Sequence, residues 1–162
     1  MYTFGQTSLK NLATCHLDLQ KIAKLAIRRS PVDFGIHAGA RTIAAQQKFF
    51  DQKASQINPR DYKSPEDLAA KAKHITIPIH PEYKRSRAFD FHISKTYGTK
   101  NLMWDDIHLS IVIGVIYSCA LELYERDQIS SRIRSGGDWD KDGIFVYDHT
   151  LKDLPHIEIF GR

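Results

Sequence analysis

His74, Asp90 and His156 are the residues of this chain whose types suit one definite piece of chemistry. Two neutral imidazoles and one carboxylate can hold a zinc ion and leave its fourth position open for a water, the layout of a catalytic rather than a structural site. Such a site would activate water, and the expected reaction is hydrolysis. His156 stands in the closing segment Asp153-Leu154-Pro155-His156-Ile157-Glu158-Ile159. The chain has eight histidines, and a surface or core role is the commoner fate of any one, so residue type alone does not single these out.

A second constellation is Asp138-Trp139-Asp140-Lys141-Asp142-Gly143. Oxygen ligands at alternate positions followed by a glycine reproduce the first half of a calcium loop. Position twelve is His149 rather than a bidentate glutamate; Asp148 could close the site, with the Ile144 carbonyl contributing. A calcium-free structural loop is the competing reading.

These residues need elements to position them. Ser8 to Arg29 spaces its leucines, isoleucines and alanines as one or two amphipathic helices would, and Ser30-Pro31 ends them. Val32 to His37 has the β-rich character of a short strand, and Gly39-Ala40-Arg41 leads into a helix over about 42–52, which sets Arg41 at a strand-to-helix junction. Ser64-Pro65-Glu66-Asp67 combines an N-cap, a proline at the first helical position and first-turn acids, predicting a short helix through about Lys73 that delivers His74 at its end. Residues 75–86 read as a loop. In the strand 87–93, Ala88, Asp90 and His92 share one face while Phe89, Phe91 and Ile93 share the other, the core side; His92 is expected to face solvent. Trp104-Asp105-Asp106 opens a long helix to about Glu125, Gly136-Gly137 begins the acidic loop, and a terminal strand carries His156. The order predicts an α+β fold, a small antiparallel sheet packed against helices with the zinc site at the sheet face, as one domain over 1–162.

Composition sets bounds. With 162 residues, 42% hydrophobic and 26% charged, the chain has the makeup of a globular domain. Lys and Arg number 23 against 19 Asp and Glu, a mild excess that favours polyanions such as nucleic acid or anionic wall polymers and is too small to choose between them. Basic pairs such as Arg28-Arg29 and Lys84-Arg85 lack aromatic interleaving, so nucleic-acid binding is not expected. Cys15 and Cys119, each read inside a buried helix, suggest neither a disulfide framework nor a cysteine metal site. The opening residues lack a basic start followed by an apolar stretch, and the apolar run Leu109 to Leu121 is shorter than the ~20 residues a span needs. Cytoplasmic synthesis without stable membrane insertion, and a monomer, are the expectations.

The chain resembles the zinc peptidases that cut peptidoglycan stem peptides, a group that includes D-Ala-D-Ala carboxypeptidases and dipeptidases and phage L-alanyl-D-glutamate endopeptidases. Ser8-Leu9-Lys10-Asn11-Leu12-Ala13-Thr14 looks like the phage endopeptidase opening, and Gly39-Ala40-Arg41-Thr42 with Gln46 resembles its Gly-x-Arg-Thr and downstream Gln. Lys73-His74-Ile75-Thr76 and Ala88-Phe89-Asp90-Phe91 match the two ends of the first metal motif; Gly136-Gly137-Asp138-Trp139 and Asp153-Leu154-Pro155-His156 match the closing one. Fifteen residues separate His74 from Asp90 where the family has six, and Ser86 stands where its glycine is expected, so an insertion lies between the ligands and His80 competes with His74. The resemblance implies zinc on His74, Asp90 and His156, Asp153 as general base and then acid, and Arg41 as oxyanion or carboxylate anchor, with Trp139 and Gln46 contacting substrate. It further implies an endolysin held in the host cytoplasm until it is released to the wall or periplasm, whose substrate is peptidoglycan. Calcium in the acidic loop, if it binds, would order the segment leading into Asp153 and His156 and so make activity depend on it. The alternatives are a D-Ala-D-Ala carboxypeptidase or dipeptidase with the same zinc site, and a non-catalytic calcium-dependent wall-binding module.

Overall fold

The computed structural model describes residues 1–144 and 151–161. Five α-helices, α1 (Gln6–Leu12), α2 (Leu17–Arg29), α3 (Ile43–Asp51), α4 (Pro65–Lys71) and α5 (Asp106–Glu125), accompany four strands, β1 (Phe34–Ala38), β2 (Ala88–Ile93), β3 (Arg132–Gly136) and β4 (Asp153–Gly161). The strands form one antiparallel sheet in the order β1-β2-β4-β3. This is the expected α+β arrangement. It adds the strand β3, whose single large apolar residue, Ile133, gives no alternation to read.

Local chemistry explains where the helices start. Thr42 accepts a hydrogen bond from the Ala45 N–H, Ser64 from Asp67 with Pro65 just inside the helix, and Asp105 from His108. Asp18, in the first turn of α2, accepts from the backbone N–H groups of Ser130 and Ser131 and from the Ser131 hydroxyl, which ties α2 to the start of β3. Cys15 lies in the short link between α1 and α2 rather than inside a helix, because α1 ends at Leu12; it is fully buried there, and burial pushes its thiol up to about 12.

The sheet has two unlike faces. Phe89, Phe91 and Ile93 of β2 are fully buried, with Phe34 and Ile36 of β1 and Ile157 of β4 beside them, against α2 and α5. Burying each such side chain stabilises the fold by roughly 1.5–3 kcal/mol. By length and composition α5 alone would suffice to cross a membrane. In the fold it is a core helix, with Leu109, Val112, Ile113, Ile116, Cys119 and Leu123 buried. The opposite face carries Asp90 and His92 of β2, His156 and Glu158 of β4, and Arg134 of β3, because side chains alternate along each strand. A separate small cluster of Leu68, Ala69, Ala72 and Ile75, with Ile77 and Tyr83 against it, anchors α4 and the 75–86 loop.

Candidate metal centre and catalytic cleft

The register puts Asp90 directly opposite His156 in the β2–β4 pair. His74 reaches the same point from the turn after α4, held by the short bridge in which the Arg41 N–H donates to the His74 carbonyl at 2.8 Å. His74 Nε2 lies 3.2 Å from Asp90 Oδ1 and 3.3 Å from His156 Nδ1, and His156 Nδ1 lies 3.0 Å from Asp90 Oδ1. Tetrahedral zinc with bonds of ~2.0–2.1 Å has ligand atoms about 3.3 Å apart. The three atoms are therefore spaced as such an ion requires, and the group could hold a metal.

The outer nitrogens fix which atom points inward. His74 Nδ1 donates to the Gly39 carbonyl at 2.6 Å, which leaves Nε2 for the site. His156 Nε2 donates to Glu158 Oε2 at 3.1 Å, which leaves Nδ1. Glu158 is in turn paired with Arg134, whose Nε and Nη2 lie 2.9 and 2.7 Å from Oε1. Ligating histidines characteristically have such carbonyl or carboxylate partners, which set the tautomer and raise the basicity of the ligand. Gly39 can supply its carbonyl only because it lacks a side chain: a Cβ would overlap Thr14 Oγ1 and the Asn11 carbonyl.

Charge follows the same geometry. Burial opposes the ionised form of Asp90, but attraction to His74 and hydrogen bonds from both histidines outweigh it, so its carboxyl stays well below the usual carboxylate range. Burial also opposes the charged form of His156, yet its bonds to Asp90 and Glu158 raise its pKa to about 10. The imidazole sits between two carboxylates, in an environment made for positive charge. Glu158 is held below its ordinary value despite burial, through His156 and Arg134.

Two more residues face this corner. Asp153 begins β4 opposite Gly136, and burial raises its pKa, with Asp90 adding to the rise and His156, His74 and Arg41 opposing it. Arg41 places Nη2 3.9 Å from Asp90 Oδ2 and stacks over Phe49 at 4.3 Å; burial lowers its pKa while Asp90 and Asp153 pull it back. Gln46 does not line a cleft. It is buried, accepts from Arg41 Nη1 at 2.8 Å, and donates to Ser55 Oγ and the Ile57 carbonyl, so it fixes the guanidinium instead.

Trp139 stands beside His156 with ring centroids 5.4 Å apart, and the Arg134 guanidinium lies 5.2 Å over its indole. Gly136 makes room for it, since a Cβ there would come 2.9 Å from the indole and would overlap the Asp153 carbonyl. His80 is not part of this group: it stacks on Tyr83 and its Nδ1 accepts from the Glu82 and Tyr83 N–H groups. His92 departs from the solvent-facing expectation, for it is half-buried with Nδ1 enclosed.

Asp138, Asp140 and Asp142 bring ligand atoms within 4.8 Å of one another. Asp138 is buried and its Oδ1 has no hydrogen-bond partner among the described residues, whereas Asp140 and Asp142 are exposed. Gly143 has φ +86°, the left-handed turn a calcium loop needs at that point. Asp148 lies outside the described residues.

The supports of His156, namely Glu158 and Arg134, were not singled out from sequence. Glu158 falls two residues after a candidate ligand, on the same strand face, which was a readable signal; Arg134 depends on β3, which was not.

A family model described as phage L-alanyl-D-glutamate peptidase matches residues 1–160. The L-alanyl-D-glutamate peptidase of Escherichia phage T5 is 29% identical over 161 residues, covering 98% of this chain and 98% of the relative. Among solved structures, the Serratia marcescens L-Ala D-Glu endopeptidase ChiX has the same fold, with a TM-score of 0.64 at 21% identity, covering 98% of this chain and 90% of that one.

Proposed function

The chain belongs to the phage L-alanyl-D-glutamate peptidase family, and from that premise we propose that it is a zinc endopeptidase of the endolysin type, cutting the L-Ala to D-Glu bond of peptidoglycan stem peptides. The observation that carries the zinc assignment is the convergence of His74 Nε2, Asp90 Oδ1 and His156 Nδ1 at 3.0–3.3 Å, with the outer nitrogen of each histidine bonded to an acceptor. Two nitrogens and one carboxylate oxygen suit zinc and leave a position open. Bound there, zinc would bring the pKa of water toward neutrality and polarise the scissile carbonyl.

The residues of the chain do the rest. Asp153, half-buried and raised in pKa by that burial, takes a proton from the attacking water and passes it to the leaving D-Glu amine. Arg41, held by Gln46 and Phe49, presents its planar fork to the developing oxyanion or to a substrate carboxylate. Trp139 forms the cleft wall beside His156. The described residues act as one catalytic domain, since the site draws on β1, β2 and β4 and on the turns beside them. The acidic loop binds calcium through Asp138, Asp140 and Asp142, and the buried Asp138 oxygen, without a partner among the described residues, supports that reading. Release from the host cytoplasm to the wall would bring the enzyme to its substrate.

The test is mass analysis of stem peptides digested by zinc-loaded protein. Fragments ending in L-Ala and beginning at D-Glu are expected, and Asp153→Ala abolishes them. Release of single D-Ala residues would reject the endopeptidase assignment in favour of a carboxypeptidase.

A further inference from the structure

The polar face of the sheet continues past Asp90 into a group of rings that the hydrolytic chemistry does not use. His92 lies two residues further along β2 on the same face, which places it about 7 Å from Asp90 along the strand. Its ring meets His37 at 5.8 Å and Trp104 at 6.1 Å, and His37 meets Trp104 at 5.4 Å, all with their planes steeply inclined. Gly35 pairs with His92 in register, and a Cβ there would come 3.1 Å from ring Cε1 and 3.2 Å from Nε2, so the imidazole rests on bare backbone. Trp104 is fixed by its neighbour Met103, whose carbonyl accepts from the Ile93 N–H at the end of β2. Even so, 49% of Trp104 stays exposed, and His37 is exposed beside it. A tryptophan ordered by backbone contacts yet left half in water is placed as a binding surface is, not as a core residue is.

The cleft also has a direction. Strand β1 is antiparallel to β2, with Ala38 opposite Asp90 and Phe34 opposite Ile93. The chain after Ala38 therefore runs toward the Ala88 end of β2, and Arg41 meets the triad from that side. Along β2 the order is guanidinium, His74–Asp90–His156 triad, aromatic rings.

We propose that His37, His92 and Trp104 form a subsite for the sugar carried on the L-Ala side of the scissile bond, an N-acetylated pyranose joined through its lactyl group to the L-Ala amine, with its C–H face stacked on Trp104. This rests on the endopeptidase reading above. The two sides of the L-Ala to D-Glu bond differ in charge: the D-Glu side bears carboxylates, which suit Arg41, and the L-Ala side bears an uncharged ring with a C–H-rich face, which suits exposed aromatics. The lengths agree as well. One L-Ala and one lactyl unit at ~3.3–3.6 Å each set the near edge of the sugar about 7 Å from the scissile carbonyl, level with His92, and the pyranose extends from there toward Trp104, whose ring centroid lies 6.1 Å from that of His92.

The test compares a muramyl tetrapeptide with the free tetrapeptide of the same sequence. Zinc-loaded wild type should show a KM about five- to tenfold lower for the muramyl substrate, the range of one aromatic stack. Trp104→Ala should bring that ratio close to one, while Trp104→Phe keeps most of it and so separates lost stacking from a damaged fold. Calorimetric binding of N-acetylmuramyl-L-alanine against N-acetyl-L-alanine reads the subsite without turnover, and the sugar's advantage should vanish in Trp104→Ala. A wild type without preference, or a preference that survives Trp104→Ala, overturns the subsite. If the sugar advantage appears in binding and depends on Trp104 while the stem bond is not cut, the subsite stands and the endopeptidase reading falls.

Discussion

Two clusters of potential metal ligands, one of two imidazoles and a carboxylate and the other of carboxylates alone, are built on opposite plans. The His74–Asp90–His156 group comes from three separate segments, and each histidine has its outer nitrogen already bonded, to Gly39 and to Glu158. The Asp138–Asp140–Asp142 group comes from one short loop, with two carboxylates exposed and one buried oxygen that has no partner among the described residues. In the first, the fold has oriented the ligands before any ion arrives. In the second, an ion would have to complete the structure. Preorganised groups suit catalysis, where reorganisation at the moment of reaction is costly; a group awaiting an ion suits a regulatory or stabilising role.

The largest expected effect separates the two clusters directly. His156→Ala should remove bound zinc, as measured by metal content, and lower kcat/KM roughly a thousandfold or more, which is about 4 kcal/mol of transition-state stabilisation. Asp140→Ala should leave zinc content unchanged. If the two substitutions cost equal activity in zinc-loaded, calcium-free protein, the division of labour between the clusters is wrong.

The outer bonds are the next point of attack. Glu158→Gln keeps the shape of the side chain and removes the charge that fixes His156 and pairs with Arg134. Zinc affinity should fall about 10–100-fold in a chelator competition, with the L-Ala to D-Glu cleavage recovered at saturating zinc. Unchanged affinity would mean that His156 needs no outer partner. Gln46→Ala acts later in the cycle. With its carbonyl gone, Arg41 loses an acceptor at 2.8 Å, so kcat should drop about tenfold, as expected when a charged group is left misplaced, while zinc content stays the same.

How much of this the sequence disclosed follows from the same contrast. Asp90 was readable because β2 alternates cleanly, with Phe89, Phe91 and Ile93 on the buried face. The alternation gave the face, and the family resemblance gave its meaning. The motif text favours His74 over His80, but the fifteen-residue gap has no periodicity to place either; in the fold His74 lies beside Asp90 and His156, while His80 stacks on Tyr83. Gln46 reads from sequence as a substrate contact, because no local pattern reveals the bonds to Ser55 and Ile57 that hold it inside the fold. Strand β3, with Arg134, escaped for lack of apolar alternation, and the support of His156 escaped with it.

The smallest effect is the most diagnostic for the second cluster, because its sign depends on whether an ion is present. Asp138 buries a carboxylate oxygen that has no partner among the described residues, and such a group destabilises the fold unless a cation compensates it. Asp138→Asn removes the charge while nearly keeping the volume. In chelator, the variant should be as stable as wild type or slightly more so, by up to roughly 1 kcal/mol, which is about 2–4 °C in Tm for a chain of this size. In saturating calcium the order should reverse, since only wild type gains the binding free energy, about 2.7 kcal/mol at a hundredfold excess over Kd. Asp142→Asn should behave differently in chelator. Its Oδ1 accepts from the Ile144 N–H at 2.7 Å, a bond the amide oxygen can keep, and its carboxylate is exposed, so little is relieved. Thermal melts of the three proteins with and without calcium therefore test the contrast in one experiment. A calcium-induced rise in wild type that persists in Asp138→Asn would leave the buried oxygen unexplained and remove the loop from the account of regulation.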